Sequence, residues 1–253
     1  MADPTSPLPL QFVQSASDVA QLPPTRAEVA IVGRSNVGKS SLINAVANRN
    51  GLAKVSKTPG RTQLLNLFSL PDGTSVVDLP GYGFANAPAA VRARWPEMID
   101  GYLLRRQHLR AIVVLIDAEV GPTRNDVETL GWLRSHGLPV RIVATKHDKV
   151  RPSRRGARRA ELAAGCGVPE AEVLWVSAAK HVNVGELRRR LRDWLRVEIE
   201  LPAGSPSPSP SSSSGPGPAA EGRGKGQAAK GKGAPPRREP QMVDGVWDDE
   251  DEW

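Results

Sequence analysis

The chain holds one cysteine, Cys166, in 253 residues. A lone thiol excludes an intramolecular disulfide framework and fits a reducing compartment. No apolar run reaches the roughly 18 residues that a helix needs to cross a bilayer, so no membrane span is expected. The opening residues, Met1-Ala2-Asp3-Pro4, carry neither a basic region nor a hydrophobic stretch, and arginine is absent before Arg26. That excludes a secretory signal and fits an organelle transit peptide poorly; the expected location is cytoplasmic. Internal repeats, a zinc-ligand cluster and an RNA-recognition motif are also missing. From Pro202 onward the chain is Ser, Pro, Gly and Ala, almost without larger apolar residues until Met242. Such a composition buries too little surface to offset the entropy of ordering. Residues 1–15 and 201–253 are therefore expected to be disordered, leaving one domain over 16–200, ample for a single core. A monomer is expected.

Charge is present but unevenly placed. Net charge is +7, yet residues 201–253 hold six basic and eight acidic residues. Residues 1–200 therefore carry 28 basic and 19 acidic residues, net +9, which points to a polyanionic partner. Five arginines fall in nine residues at Arg151, Arg154, Arg155, Arg158 and Arg159. Five more, Arg188, Arg189, Arg190, Arg192 and Arg196, line a C-terminal helical stretch. Arginine suits bidentate contacts to phosphate, so both segments are candidate RNA contacts, read through backbone and shape. Beyond them, Gly222 to Gly233 is a basic linker, and Asp244 to Trp253 is acidic with two tryptophans. That last stretch reads as a solubilising end, a docking motif or an autoinhibitory mimic of RNA phosphate.

The strongest motif is Gly33-Arg34-Ser35-Asn36-Val37-Gly38-Lys39-Ser40, which fits G-x-x-x-x-G-K-[ST]. An apolar strand, Glu28 to Val32, precedes it and a helical stretch, Ser41 to Ala47, follows. N–H groups at such a helix start converge on an anion. Lys39 would neutralise the β- and γ-phosphates and Ser40 would hold a magnesium ion. Ser75-Val76-Val77-Asp78-Leu79-Pro80-Gly81 is a strand ending in Asp-x-x-Gly; Asp78 is a magnesium ligand candidate, and the Gly81 N–H can reach the γ-phosphate. In the polar loop Lys57 to Gln63, Thr62 is the preferred second hydroxyl ligand and Thr58 its competitor, with turn chemistry the alternative for both.

Thr145-Lys146-His147-Asp148 closes an apolar strand. A carboxylate at Asp148 can accept bonds from guanine N1–H and the 2-amino group, which adenine cannot supply. The stem of Lys146 can lie over the base. A further strand, Val173 to Val176, runs into Ser177-Ala178-Ala179-Lys180, whose backbone N–H groups are candidates for guanine O6.

Strands alternating with helical stretches indicate an α/β fold, a P-loop GTPase of three layers, with a mostly parallel six-stranded sheet and one antiparallel edge strand. Strands are predicted near 29–32, 64–70, 74–78, 111–117, 140–145 and 172–177, with Pro71-Asp72-Gly73 as a hairpin signal. Helices are predicted near 39–48, 88–107, 123–136, 153–164 and 183–197.

These residues resemble the EngB (YsxC/YihA) family of translation-factor-type GTP-binding proteins. The likeness rests on Gly33 to Ser41, Ser56-Lys-Thr-Pro-Gly-Arg-Thr-Gln63, Asp78-Leu-Pro-Gly-Tyr-Gly83 and Thr145 to Asp148, and covers about residues 10 to 198. It implies GTP and GDP as ligands and Lys39, Thr62 and Gly81 as catalytic. It implies Ser40, Thr62 and Asp78 as magnesium ligands. It widens the nucleotide set to Gly60, Arg61, Gln63, Leu64, Leu79, Pro80 and Val176. It further implies a GTPase switch in large ribosomal subunit assembly, with ribosomal subunit or rRNA as partner and a link to cell division and septation. A nucleotide-gated scaffold at the septum is the alternative. His147 departs from the small residue usual there. Tyr82 stands where many GTPases place a water-orienting Gln, so slow intrinsic turnover is expected. Asn36 is a candidate ligand for a potassium ion beside the phosphates, or only a turn residue.

Overall fold

The computed structural model describes residues 3–54, 64–82 and 99–196, and the backbone of 242–243 and 246–247. Seven strands form one sheet: β1 (Gln11–Ala16), β2 (Glu28–Gly33), β3 (Leu65–Ser69), β4 (Ser75–Asp78), β5 (Leu109–Asp117), β6 (Val140–Thr145) and β7 (Leu174–Trp175). Their order is β1-β3-β4-β2-β5-β6-β7. β2 pairs in parallel with β4 and β5, and β5, β6 and β7 continue in parallel. β3 runs against both β1 and β4.

Two expectations are corrected here. The sheet has seven strands, and the antiparallel strand β3 lies inside the edge formed by β1. Of residues 1–15, expected to be disordered, 11–15 belong to that edge strand with Ala16, and Leu8 and Leu10 ahead of it are buried. Phe12 packs edge-on to Phe68 of β3 at 5.7 Å. In the stretch expected to be disordered beyond 201, Met242 pairs with Trp247 and Val243 with Val246 in a short antiparallel ladder.

The helices are α1 (Lys39–Ala47), α2 (99–105), α3 (Arg124–Ser135), α4 (Arg155–Gly165) and α5 (Val184–Arg196). The part of the predicted 88–107 helix before residue 99 lies outside the described residues. Strand alternation sorts the core into two layers. Val29 and Ile31 of β2 and Val113 and Leu115 of β5 face Leu42 and Ile43 of α1 and Leu187 and Leu191 of α5. Ala30, Val32, Val114 and Ile116 face Leu130 of α3, Leu162 of α4 and Tyr102 of α2. Hence β5 is apolar throughout: both of its faces are covered. The β3–β4 hairpin turns at Gly73, whose φ of +80° suits glycine, and Asp72 accepts from the Thr74 N–H at 3.0 Å.

Much of the arginine on α5 is structural, which the sequence pattern does not foretell. Arg188 donates to the carbonyls of Val46 at 2.9 Å and Ala45 at 2.8 Å, capping the last turn of α1. Arg192 donates to the carbonyl of Pro4 at 2.6 Å and so ties down the N-terminal segment. Arg189 and Arg190 pair with Glu186 on the same helix, and the guanidinium bonds from Arg189 and then Arg190 hold the Glu186 carboxyl down at about 2.

At the opposite end of the sheet from the phosphate loop, Glu28 is fully buried. It accepts from Tyr102 Oη at 2.9 Å, Arg106 Nη2 at 2.7 Å and Thr25 Oγ1 at 2.8 Å. Burial, and next the Glu28 charge, push the Tyr102 phenol well above its ordinary value, so it stays a donor. Glu28→Ala strands the Arg106 cation and should cost about 3–5 kcal/mol. The check is the urea midpoint of wild type and variant; an unchanged midpoint would show that the network adds nothing to stability.

Candidate functional site

The phosphate loop leaves β2 and enters α1 through Gly38, whose φ of +103° is reserved in practice for glycine. Asn36 also sits in the left-handed region, at φ +62°, a conformation asparagine tolerates. Val37 N–H donates to the Arg34 carbonyl at 3.2 Å and closes the turn. The first N–H groups of α1, those of Lys39, Ser40 and Ser41, have no carbonyl one turn ahead. They face outward at the positive end of the helix and can receive phosphate oxygens. Gly33 is required by packing: a Cβ there would meet Leu115 Cβ and Val37 Cγ1 at 3.0 Å.

Lys39 and Asp78 meet at 2.6 Å with both side chains almost wholly enclosed. The contact is ionic, without the alignment of a hydrogen bond. β4 thus delivers its last carboxylate to the start of α1, beside Ser40. A hydroxyl and a carboxylate suit a hard divalent ion. Among the described residues no cluster of three or more His, Cys, Asp or Glu is placed to hold a metal. The buried Ser35 Oγ has no hydrogen-bond partner.

Gly81 presses on the phosphate loop. A Cβ there would lie 2.9 Å from the Gly33 carbonyl oxygen and 3.1 Å from the Ser35 nitrogen. The next residue fixes the approach: Tyr82 N–H donates to the Gly33 carbonyl at 3.3 Å, and Ser35 N–H donates to the Tyr82 carbonyl at 3.2 Å. The Tyr82 phenol is buried and donates to Asp126 at 2.7 Å. Asp126 in turn accepts from Thr123 N–H and Oγ1, closing the capping box of α3. Burial, then the Asp126 charge, raise the Tyr82 phenol well above its ordinary value.

The base side is assembled at the ends of β6 and β7. Thr145 Oγ1 donates to the Val37 carbonyl at 2.6 Å and joins this strand end to the phosphate loop. Lys146 lies in the left-handed region at φ +56°. Its Nζ pairs with Asp117 at 2.6 Å, which lays its stem across the mouth of the site. His147 N–H donates to the Val176 carbonyl at 3.1 Å, and its ring meets Trp175 edge-on at 5.8 Å. Burial, followed by Arg155 and Arg159, lowers the His147 imidazole below its ordinary value, so it is neutral at pH 7. The Asp148 carboxylate accepts a short hydrogen bond from Ser177 Oγ, which holds one of its oxygens in place.

Of the backbone donors proposed for guanine O6, Ser177 N–H is engaged on the Val182 carbonyl at 3.1 Å and Lys180 N–H on Ser177 Oγ at 3.0 Å, while Val176 N–H, in the wider nucleotide set, is engaged on the Ala144 carbonyl at 2.8 Å. Ala178 and Ala179 stay candidates. Two residues that sequence reasoning passes over now matter. Asp117 anchors Lys146, and its one visible signal is a carboxylate ending an apolar strand. Asp126 anchors Tyr82, and nothing in the sequence links them. Gly60, Arg61, Thr62 and Gln63, with Thr58, lie outside the described residues. Leu64, Leu79 and Pro80 are placed, and the last two are buried.

A family model described as 50S ribosome-binding GTPase matches residues 28–146. A probable GTP-binding protein EngB from Geobacter metallireducens is 42% identical over 195 residues, covering 77% of this chain and 93% of that protein. A crystal structure of a probable GTP-binding protein engB matches with TM-score 0.56 at 25% identity, over 67% of this chain and 99% of that one. Era in complex with MgGDPNP and nucleotides 1506–1542 of 16S ribosomal RNA matches with TM-score 0.50 at 25% identity, over 70% of this chain and 59% of that one. With its phosphate loop, its buried Lys39–Asp78 pair and its Thr-Lys-x-Asp strand end on one rim of the sheet, the chain belongs to the EngB family of GTP-binding proteins, P-loop GTPases.

Proposed function

We propose that this protein is a magnesium-dependent GTPase switch that acts in assembly of the large ribosomal subunit and supports normal division and septation. The observation that carries the reading is the convergence of phosphate-loop, Asp-x-x-Gly and Thr-Lys-x-Asp segments on one rim, next to a surface rich in arginine. Lys39 and the N-terminal N–H groups of α1 bind the phosphates. Ser40 and Asp78, with Thr62, hold magnesium, which supplies charge neutralisation at the β- and γ-phosphates. Gly81 N–H reports the γ-phosphate. Asp148, Lys146 and Ala178 select guanine. A ribosomal partner is supported by the description of the matching family model, and RNA contact by Era, an rRNA-bound relative in fold.

The arginines of α4 carry that contact. Arg151, Arg154 and Arg159 are exposed; α5 contributes less, because Arg188 and Arg192 serve internal carbonyls. The test is cosedimentation of the full chain with large subunits, loaded with GTP or GDP. Sedimentation free of ribosomes in both states would refute the ribosomal role. Replacing Arg154, Arg155, Arg158 and Arg159 together by Gln should weaken RNA binding and lower its salt slope by about 3–4, at roughly 0.9 for each phosphate no longer neutralised. GTP affinity should stay unchanged, and an unaltered salt slope would return α4 to a solvated helix face.

Intrinsic hydrolysis is expected to be slow, because the residue after Gly81 is Tyr82, whose buried hydroxyl is engaged by Asp126 and cannot copy an amide's paired donor and acceptor. Potassium at Asn36 could supply the missing positive charge. Single-turnover hydrolysis should then be at least about tenfold faster in potassium than in sodium, and Asn36→Ala should erase the difference. A rate indifferent to the cation would leave activation to a partner.

A further inference from the structure

Five consecutive acidic residues, Asp248 to Glu252, lie between Trp247 and Trp253. We propose that this acidic segment docks in cis on the arginine face of α4 and competes there with a polyanion. The competition rests on the reading of α4 given above; the docking does not.

The receiving face is poorly neutralised. Among the described residues the ion pairs of Arg154 and Arg158 are with one carboxylate, Glu161, at 3.9 Å and 3.3 Å, and Arg155 and Arg158 also donate to the Val150 and Val120 carbonyls at 3.2 Å and 3.4 Å. Among the described residues Arg151 has no ion pair. Arg159 already lies over the Trp175 ring at 5.8 Å, so this face accepts indole as well as carboxylate. On the rival basic surface, α5, four of the five arginines are engaged internally: Arg188 and Arg192 bind backbone carbonyls, and Arg189 and Arg190 bind Glu186.

The donor segment is set apart from what precedes it. Between Arg196 and Met242 stand 45 residues, and from 201 to 241 these hold six basic residues against only Glu221 and Glu239. Negative charge is thus concentrated beyond Val243. The backbone of Met242 pairs with that of Trp247, and Val243 with Val246, directly ahead of the acidic run in the sequence. The Gly-, Ser- and Pro-rich tether predicts a root-mean-square reach of about 35–40 Å, which is comparable with the width of a domain of this size. Its effective concentration is on the order of a millimolar. A contact with a dissociation constant of about 100 μM would then be closed roughly nine-tenths of the time and would weaken a competitor about tenfold.

The test uses the full chain. Cys166 is buried, so a thiol introduced by Gln241→Cys takes a nitroxide label selectively. In 50 mM salt the label should broaden the amide signals of residues 151–159, and 1 M salt or Gln at Arg154, Arg155, Arg158 and Arg159 should abolish the broadening. A label that leaves those amides sharp in low salt, or broadens them equally in the Gln variant, overturns the docking. The second arm replaces Asp248, Asp249, Glu250, Asp251 and Glu252 by their amides and measures binding of a ribosomal RNA fragment. A gain of about tenfold is expected, and an unchanged affinity overturns the competition. Should neither protein bind RNA, the RNA reading of α4 fails while the label still decides the docking.

Discussion

Lys39→Ala should reduce GTP affinity by at least about a hundredfold, on the order of 3 kcal/mol, because it removes the phosphate-loop cation proposed above to meet the β- and γ-phosphates. The structure adds a complication. Lys39 also neutralises the buried Asp78 at 2.6 Å, and leaving a buried carboxylate alone costs roughly 3–5 kcal/mol of stability. Loss of binding could then reflect loss of folding. Two measurements separate them. Circular dichroism and urea unfolding report the fold of Lys39→Ala. A double variant, Lys39→Ala with Asp78→Asn, removes the stranded charge and should recover much of the stability without recovering GTP. Near-normal GTP affinity by titration in either variant would overturn the placement of the phosphates.

What the sequence discloses and what it hides divide along a physical line. Residues whose roles depend on their immediate neighbours are legible. Gly38 turns the chain into a helix, Lys39 and Ser40 open it, and Asp78 ends a strand; local spacing encodes all of this. The apolar runs of β2 and β5 likewise give the layers away, because a doubly covered strand has few places to put a polar side chain. Roles that depend on distant partners are hidden. β1 has no clean alternation in Gln11-Phe12-Val13-Gln14-Ser15-Ala16, and only pairing to β3 makes it a strand. Arg188 and Arg192 read as surface charge until the carbonyls of α1 and the N-terminal segment are brought up to them. Tyr82 and Asp126 are 44 residues apart. The Ser177 N–H is taken up by the Val182 carbonyl, and a strand-end motif alone does not show that.

Asp148→Asn should turn preference from GTP toward XTP. Guanine offers two donors, N1–H and the 2-amino group, to a carboxylate, whereas xanthine offers N1–H and a 2-oxo acceptor. Ser177 Oγ donates to one oxygen of Asp148, and this bond decides how the substituted amide would sit. An amide oxygen in that place keeps the serine bond and can still accept from N1–H. The amide nitrogen then points at the 2-position, where it donates to the oxo group of xanthine and meets the amino group of guanine donor to donor. Buried mismatches of this kind cost about 1–3 kcal/mol each, so GTP should weaken by about a hundredfold and the ratio of GTP to XTP affinity should move by about 10³ or more. Ser177→Ala alone should weaken GTP modestly. Combined with Asp148→Asn it should blunt the preference for XTP, because the amide is no longer held in one orientation. Competitive titration with both nucleotides measures all four proteins. Equal GTP and XTP affinities in wild type and Asp148→Asn would remove Asp148 from the base site, and a full preference for XTP in the double variant would remove Ser177 as its positioning residue.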